Sequence, residues 1–172
     1  YYYIGDSAPS TTDLSQWTTT NYTTLKGKNA GTYKIWYFAK APSSAYLDST
    51  PTYIEVEIDK AVPIITKPRS RTLDSDPEEQ VIITPGVPVV EDINGTFYYS
   101  IADGPSAGDA PEVNEWSSLV SEIKKKDPGV YYIWWKFIPT DTVNYYSYEP
   151  STERVLISQI IDSNRIPETR FI

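Results

Sequence analysis

With 172 residues, 40% of them hydrophobic and 22% charged, the chain has the composition of a globular protein with one or two cores. Its formal net charge of -8 argues against nucleic acid and anionic membrane surfaces as partners, because both attract proteins through basic residues. The sequence has no cysteine and no histidine, which excludes disulfides, zinc–thiolate sites and the commonest catalytic bases and nucleophiles.

Residues 1–60 are rich in side chains that favour strands. The chain opens with Tyr1-Tyr2-Tyr3, and Gly31–Phe38 is an aromatic segment that follows a short turn. Pro51–Ile58 then alternates apolar and acidic residues. These segments, separated by polar loops, predict the last four strands of a β-domain.

The same motifs return at an offset of about 98 residues. The corresponding pairs are Tyr1-Tyr2-Tyr3 and Phe97-Tyr98-Tyr99, Trp17 and Trp116, Gly31–Phe38 and Gly129–Lys136, Tyr46 and Tyr145, and Pro51–Ile58 and Pro150–Ile157. One immunoglobulin-like sandwich has about 100 residues. The repeat therefore predicts an all-β chain of tandem immunoglobulin-like β-sandwich modules.

Residues 61–95 precede the second copy, and nothing in the first copy corresponds to them. Residues 1–60 are therefore predicted to be the C-terminal part of a module truncated at its N-terminus, residues 61–161 a complete module, and residues 162–172 a linker or the start of a further module. In the complete module we expect a loop over 103–111 and strands near 62–66, 79–84, 96–101, 116–123, 130–138 and 152–160.

Each aromatic segment begins with the pattern Gly-x-Tyr, at Gly31 and Tyr33 and again at Gly129 and Tyr131. In immunoglobulin-like domains, a tyrosine at this place folds its hydroxyl back onto the backbone a few residues upstream. A glycine suits the turn because it accepts positive φ and close approach. We therefore predict a structural tyrosine corner in each copy.

Alternation divides the side chains of each aromatic strand between two faces. One face is apolar in both copies and is predicted to be the core, whereas the other mixes lysine with aromatic residues and is expected to meet solvent or a neighbouring module. The predicted core side chains are Tyr33, Ile35, Tyr37 and Ala39 in the first copy, and Tyr131, Ile133, Trp135 and Phe137 in the second.

The order of these motifs resembles the tandem immunoglobulin-like repeats of large bacterial cell-surface proteins of the adhesin type. The shared order is a Tyr-Tyr pair, a loop of Gly, Ser, Pro and Asp, a Trp, the segment Asp/Asn-x-Gly-x-Tyr-x-Ile-Trp, and a final Val-x-Ile strand. The resemblance covers residues 61–160, and residues 1–58 in truncated form. It implies a secreted, non-catalytic spacer or adhesive segment at the cell surface. The implied partners are neighbouring modules and a cell-surface protein or glycan.

Two kinds of binding site remain open. Trp36 and Trp134 lie on the predicted outer face, where aromatic rings bind sugars, although covering the sheet or filling a contact between modules is the simpler interpretation. Asp103 and Asp109 lie in a loop and are candidate calcium ligands, because calcium takes carboxylate and carbonyl oxygens. The simpler interpretation of these carboxylates, and of the acidic turn 74–79, is a solvated loop.

Two alternatives to the spacer therefore follow. One is a carbohydrate-binding module of a secreted protein. The other is a virion or filament protein, in which residues 162–172 of one copy complete residues 1–60 of another by strand exchange. No apolar run approaches the roughly 20 residues that cross a bilayer, so we expect no membrane insertion.

Overall fold

The computed structural model describes residues 1–19, 25–89, 93–103 and 105–159, except for the side chain of Asp103. Contacts divide the chain into two units. The first unit consists of Tyr1–Ala61 together with Val143–Tyr145, and the second takes up the remaining described residues from Val62 onward.

Strands form most of the regular structure in both units. The helices among the described residues are 3-10 turns of three residues each, at Leu14–Gln16, Val113–Glu115 and Val120–Glu122. The prediction of an all-β chain is therefore confirmed at the level of secondary structure. No helix in the described ranges has the length and apolar character that a transmembrane span requires.

The first unit contains one antiparallel sheet in the order β1-β2-β3. The three strands are β1 (Tyr2–Ile4), β2 (Gly31–Tyr37) and β3 (Thr52–Ile58). Tyr2 pairs with Tyr37, and Ile54 of β3 pairs with Ile35. The backbone N–H of Phe38 donates to the carbonyl oxygen of Tyr1 at 3.1 Å, which extends the pairing beyond the end of β1.

The second unit has a larger sheet in the order β10-β12-β13-β6, in which β6 joins parallel to β13. The short strands pair as β4 with β9, β5 with β8 and β7 with β11. The strands are β4 (Ile65–Thr66), β5 (Arg69–Ser70), β6 (Leu73–Asp74), β7 (Gln80–Val81), β8 (Ile83–Thr84), β9 (Val87–Pro88), β10 (Gly95–Asp103), β11 (Lys124–Lys125), β12 (Gly129–Pro139) and β13 (Tyr148–Ser158).

Strands β10, β12 and β13 repeat the pairing of β1, β2 and β3. Tyr2 pairs with Tyr37 in the first unit, and Tyr99 pairs with Trp135 in the second. Tyr2 and Tyr99 also each form an isolated bridge with the residue that directly follows the recurring tryptophan. Tyr2 and Tyr99 therefore occupy equivalent positions, and so do Tyr37 and Trp135. The correspondence of Tyr2 with Tyr98 that the sequence repeat predicts is wrong by one residue.

The core of the second unit lies on the predicted face of β12. Ile133 and Phe137 are 0% exposed and Trp135 is 1% exposed, so the alternation predicted this face correctly. Neighbouring strands add further buried side chains to the same face, namely Phe97, Tyr99, Val155 and Ile157.

Residues 62–89 lie against this face and complete the core. Ile82 and Ile83 are buried there, and the hydroxyl of Tyr99 accepts from the backbone N–H of Gly86 at 3.2 Å. A Cβ at Gly86 would lie 2.4 Å from the ring of Phe97, so a glycine is needed where the turn approaches the sheet.

The predicted strand over 116–123 is wrong. Ser117 forms a single bridge, and the 3-10 turn Val120–Glu122 follows it. The Ser117 hydroxyl accepts from the N–H of Leu119 and also bonds the carboxylate of Glu122. Such local side-chain bonds compete with strand pairing. The strand expected near 62–66 is likewise shorter, because only Ile65–Thr66 pairs.

In the first unit, the prediction that the alternating apolar face is the core is wrong. Tyr37 is 39% exposed and Ala39 is also exposed, whereas Phe38, on the opposite face, is 3% exposed. Phe38 packs against Trp17, with ring centroids 4.7 Å apart, and against Tyr1 at 5.2 Å. The physical reason is that no described segment of this unit plays the part of residues 62–89.

Candidate functional site

The recurring tryptophans Trp36 and Trp134 hold loops through their indole N–H groups. Trp36 lies on β2, and its Nε1 donates to the carbonyl oxygen of Gly5 at 3.0 Å. Trp134 lies on β12, and its Nε1 donates to Ala107 at 2.9 Å. Both acceptors lie beyond the end of the neighbouring strand, at β1 and β10 respectively. Each indole therefore fixes the chain that leaves the sheet edge.

Both indoles are only half-buried, and their rings have close neighbours. The ring of Trp36 lies 4.7 Å from that of Tyr53, at an interplanar angle of 53°. Beside Trp134, the hydroxyl of Tyr132 donates to the carbonyl oxygen of Pro105 at 3.3 Å, so two aromatic residues anchor the same loop. Sugar binding at Trp36 and Trp134 stays a prediction, with one candidate residue in each unit.

Trp17 and Trp116 form a second equivalent pair. Their Nε1 atoms donate to the carbonyl oxygens of Ser10 at 3.1 Å and of Pro111 at 3.3 Å. Each tryptophan directly follows a 3-10 turn, which brings the indole back toward the preceding loop. Four tryptophans thus use the indole N–H to fasten a loop, and these contacts recur at equivalent positions.

A pair of aromatic rings packs against different side chains in the two units. In the first unit, Tyr1 and Trp17 enclose Phe38. At the equivalent position of the second unit stands Lys136, whose Nζ lies 4.1 Å from the ring centroid of Trp116 and 5.7 Å from that of Tyr98. A cation over an aromatic face is attracted by the ring quadrupole, so the same aromatic frame accepts either a ring or an ammonium group.

Tyr33 and Tyr131 direct their hydroxyls back along the chain. The hydroxyl of Tyr33 donates to the carbonyl oxygen of Asn29 at 2.7 Å, and that of Tyr131 donates to Asp127 at 2.9 Å. Both bonds reach four residues upstream, across the turn that precedes the strand. Gly31 has a φ of 143°, a conformation that disfavours other residues. Gly129 is not among the described glycines with positive φ.

Asn144 adds a second polar contact to the turn in the first unit. Its Oδ1 accepts from the backbone N–H of Ala30 at 2.7 Å, and its Nδ2 donates to the side-chain oxygen of Asn29 at 3.3 Å. The backbone N–H of Ala61 also donates to the carbonyl oxygen of Asn144 at 2.8 Å. Val143–Tyr145 is therefore bonded into the first unit at two separate places.

The two candidate calcium ligands are Asp103 and Asp109. Asp109 is exposed, and the backbone of Asp103 pairs with Tyr131 at the end of β10. The described ranges contain no group of three or more carboxylates that would hold a metal ion. In the acidic turn, the carboxylate of Asp76 accepts from the N–H of Glu78 at 2.9 Å. Calcium binding at Asp103 and Asp109 stays a prediction.

The loop between β2 and β3 presents two large apolar side chains to solvent. Tyr46 is 68% exposed and Leu47 is 96% exposed. Lys40 pairs with Asp48 at 2.8 Å and thereby lowers the pKa of this carboxyl, as does the N–H of Ala41. These bonds brace the loop on either side of the exposed pair. A groove of about 330 Å³ lies beside it.

One sheet face of the first unit, which the alternation predicts to be the core, is apolar and exposed. We call it the open face, and it is formed by Tyr2, Ile4, Ile35, Tyr37, Ile54 and Val56. Tyr2, Tyr37 and Val56 are 40%, 39% and 40% exposed. Their equivalents in the second unit are almost completely buried, with exposures of 2% for Tyr99, 1% for Trp135 and 0% for Val155.

Comparison with protein-family models, with curated proteins and with solved structures gives no match. Most of the recurring aromatic residues bond loops or fill cores, and the open face and the Tyr46 loop are among the exposed apolar surfaces.

Proposed function

We propose that the chain is a segment of tandem immunoglobulin-like β-sandwich modules in an exported bacterial protein, where it acts as a non-catalytic spacer or adhesive stalk at the cell surface. The observation that carries the proposal is the recurrence of one three-stranded sheet, with equivalent bonds from its tryptophans and its corner tyrosines. A repeat whose shared residues are used for architecture is what a spacer requires.

The packing of the second unit supports the sandwich architecture. In such folds, two layers enclose a core formed by the alternating inward side chains of each layer. Here one sheet is β10-β12-β13-β6, and the candidate second layer consists of the short strand pairs β4-β9, β5-β8 and β7-β11, of which all but β11 come from residues 62–89. The buried prolines Pro63 and Pro68 lie in this second layer, whose strands are only two residues long. Proline lacks a backbone donor and suits such interrupted strands.

The adhesive part of the proposal is supported by the loop that carries Tyr46 and Leu47. Exposed aromatic and aliphatic side chains on a braced loop lose little conformational entropy when they bind a partner. We propose neighbouring modules and a cell-surface protein or glycan as the partners. The loop is bonded to the sheet through Ala39, whose N–H donates to the Ser49 hydroxyl at 2.8 Å.

Single-molecule force spectroscopy on the chain, held by handles at both ends, tests the spacer role. A stalk module should resist extension and then unfold in one discrete step. The span from residue 62 to residue 159 has 98 residues, which each span about 3.5 Å when extended, so that step releases about 34 nm of contour length less the distance between the folded ends. Gradual extension at low force, without a discrete step, would contradict a mechanical role.

A second candidate is a virion or filament protein whose copies complete one another by strand exchange. The open face favours it, because an apolar face that is buried in one unit and bare in the other invites a covering segment. Sedimentation velocity distinguishes the two candidates. A filament protein forms concentration-dependent oligomers, whereas a spacer stays monomeric over the same range.

A further inference from the structure

We infer that the open face of the first unit binds an extended polypeptide segment of the same kind as residues 62–89, one that carries β-branched apolar residues and prolines and folds back on itself. The second unit shows which chemistry covers such a face. There, Ile82 and Ile83 are 0% and 1% exposed beneath a sheet whose strands pair as those of the first unit do.

Side chain by side chain, the open face is matched to that covered face. Tyr2, Tyr37 and Val56 are equivalent to Tyr99, Trp135 and Val155 in strand register, and each is a large apolar residue as its counterpart is. All three counterparts are 2% exposed or less, whereas the open-face residues are about 40% exposed. The difference lies in the covering layer, because the sheets themselves are paired alike.

The free edge of the sheet indicates how the segment enters. In the second unit, β13 pairs in parallel with β6, where Ile157 lies opposite Leu73. In the first unit, Ile58 occupies the position of Ile157, and β3 is the last strand of its sheet in the described structure. A bound segment would therefore place a Leu73-like residue beside the end of β3, as strand addition does in other proteins.

The length of the covering layer decides the kind of occupant. Strands β4 and β5 pair with β9 and β8 of the same segment, which satisfies their backbone groups without the main sheet. A covering segment must therefore be long enough to fold back, as residues 62–89 are. Binding at the open face does not require that the chain be a cell-surface stalk.

The test is a chain in which a second copy of residues 62–97 is fused in front of Tyr1. In this graft, the number of residues along the chain between the added segment and Tyr2 equals the number between the original segment and Tyr99. We expect the graft to bind less than half as much 8-anilinonaphthalene-1-sulfonate as the parent chain. The thermal unfolding transition of the first unit should rise by at least about 5 °C.

Two substitutions on β3 provide the matched control. Val56→Lys charges the open face and should abolish both gains of the graft. Glu57→Lys lies on the opposite face of the same strand and should leave both gains intact. A labelled peptide of residues 62–89, added to the parent chain, should bind at least tenfold more weakly to the Val56→Lys variant than to the Glu57→Lys variant.

Three results would overturn the inference. The first is a graft, folded by circular dichroism, that changes neither dye binding nor the transition. The second is equal loss of the gains in both lysine variants. The third is a parent chain that is dimeric by light scattering and becomes monomeric on Val56→Lys, because the open face would then bind a second copy of itself.

Discussion

Replacing Phe38 perturbs the small core of the first unit most directly. Its side chain is 3% exposed and touches the rings of Tyr1 and Trp17. Phe38→Ala removes a buried aromatic ring and leaves a cavity, which typically costs about 3–5 kcal/mol in the free energy of unfolding. We therefore expect Phe38→Ala to lower the free energy of unfolding of the first unit by about this amount, while the unfolding transition of the second unit stays unchanged.

Phe38→Lys is the informative companion, because the second unit already carries Lys136 at this place. The aliphatic stem of a lysine keeps part of the packing, and a partly desolvated cation over Trp17 contributes about 1–2 kcal/mol. We expect Phe38→Lys to lose about half as much free energy of unfolding as Phe38→Ala. Urea unfolding followed by tryptophan fluorescence measures both variants. If the two substitutions cost the same, or if Phe38→Ala costs under about 1 kcal/mol, the proposed equivalence of the two aromatic frames is refuted.

Three further predictions concern single polar groups. The Nε1 of Trp135 is buried with no hydrogen-bond partner in the described structure. Trp135→Phe should therefore lower the free energy of unfolding in urea by only about 1 kcal/mol, because removing an unpaired donor offsets part of the lost volume. A loss of about 4 kcal/mol would contradict this. Burial raises the pKa of Tyr99, so the folded state keeps this proton to a higher pH than the unfolded state does. Stability should therefore be intact below about pH 10 and fall above it; Tyr99→Phe should flatten this alkaline decline, while the exposed-site control Tyr2→Phe should not, and equal slopes would refute the assignment. Asn144→Ala removes the acceptor of the Ala30 N–H and should lower the stability of the first unit by about 1 kcal/mol, with faster hydrogen exchange at that amide; unchanged exchange would argue against the bond.

Strand character could be predicted from the sequence because it is written locally. Alternation and the Gly-x-Tyr entries located β2 and β12, and the spacing of the copies revealed that the pattern occurs twice. The 3-10 turn at Val120–Glu122 escaped prediction, because the bonds of Ser117 that compete with pairing involve a particular side-chain geometry. Composition alone does not determine that geometry.

Burial was harder to predict than strand position. The apolar face of β2 has the pattern of a core strand, and yet Tyr37 is exposed while Phe38 is buried. Whether an apolar face becomes a core depends on a second layer, which a strand's own sequence does not contain. The contrast between residues 1–60 and 61–95 was visible in the sequence, and it implied that the first unit would lack this layer.

The roles of the tryptophans could be predicted only in part. Their recurrence at equivalent positions favoured packing, but the acceptors of Trp36 and Trp134 lie on loops whose course no pattern fixes. The aromatic frame around Lys136 could have been found by aligning the copies, because Phe38 and Lys136 stand at the same place between the same partners. Alignment of internal repeats is therefore more informative here than any single motif.

Hydrogen exchange of the intact chain, followed by mass spectrometry, tests the central claim most directly. Strands β2 and β12 are equivalent and each is central in a three-strand antiparallel arrangement, so their amides differ mainly in what covers the sheet. We expect Gly129–Pro139 to exchange at least about a hundredfold more slowly than Gly31–Tyr37, because of these two strands only β12 lies under a complete second layer. Equal protection of the two strands would contradict the account, since it would mean that the open face is covered in solution.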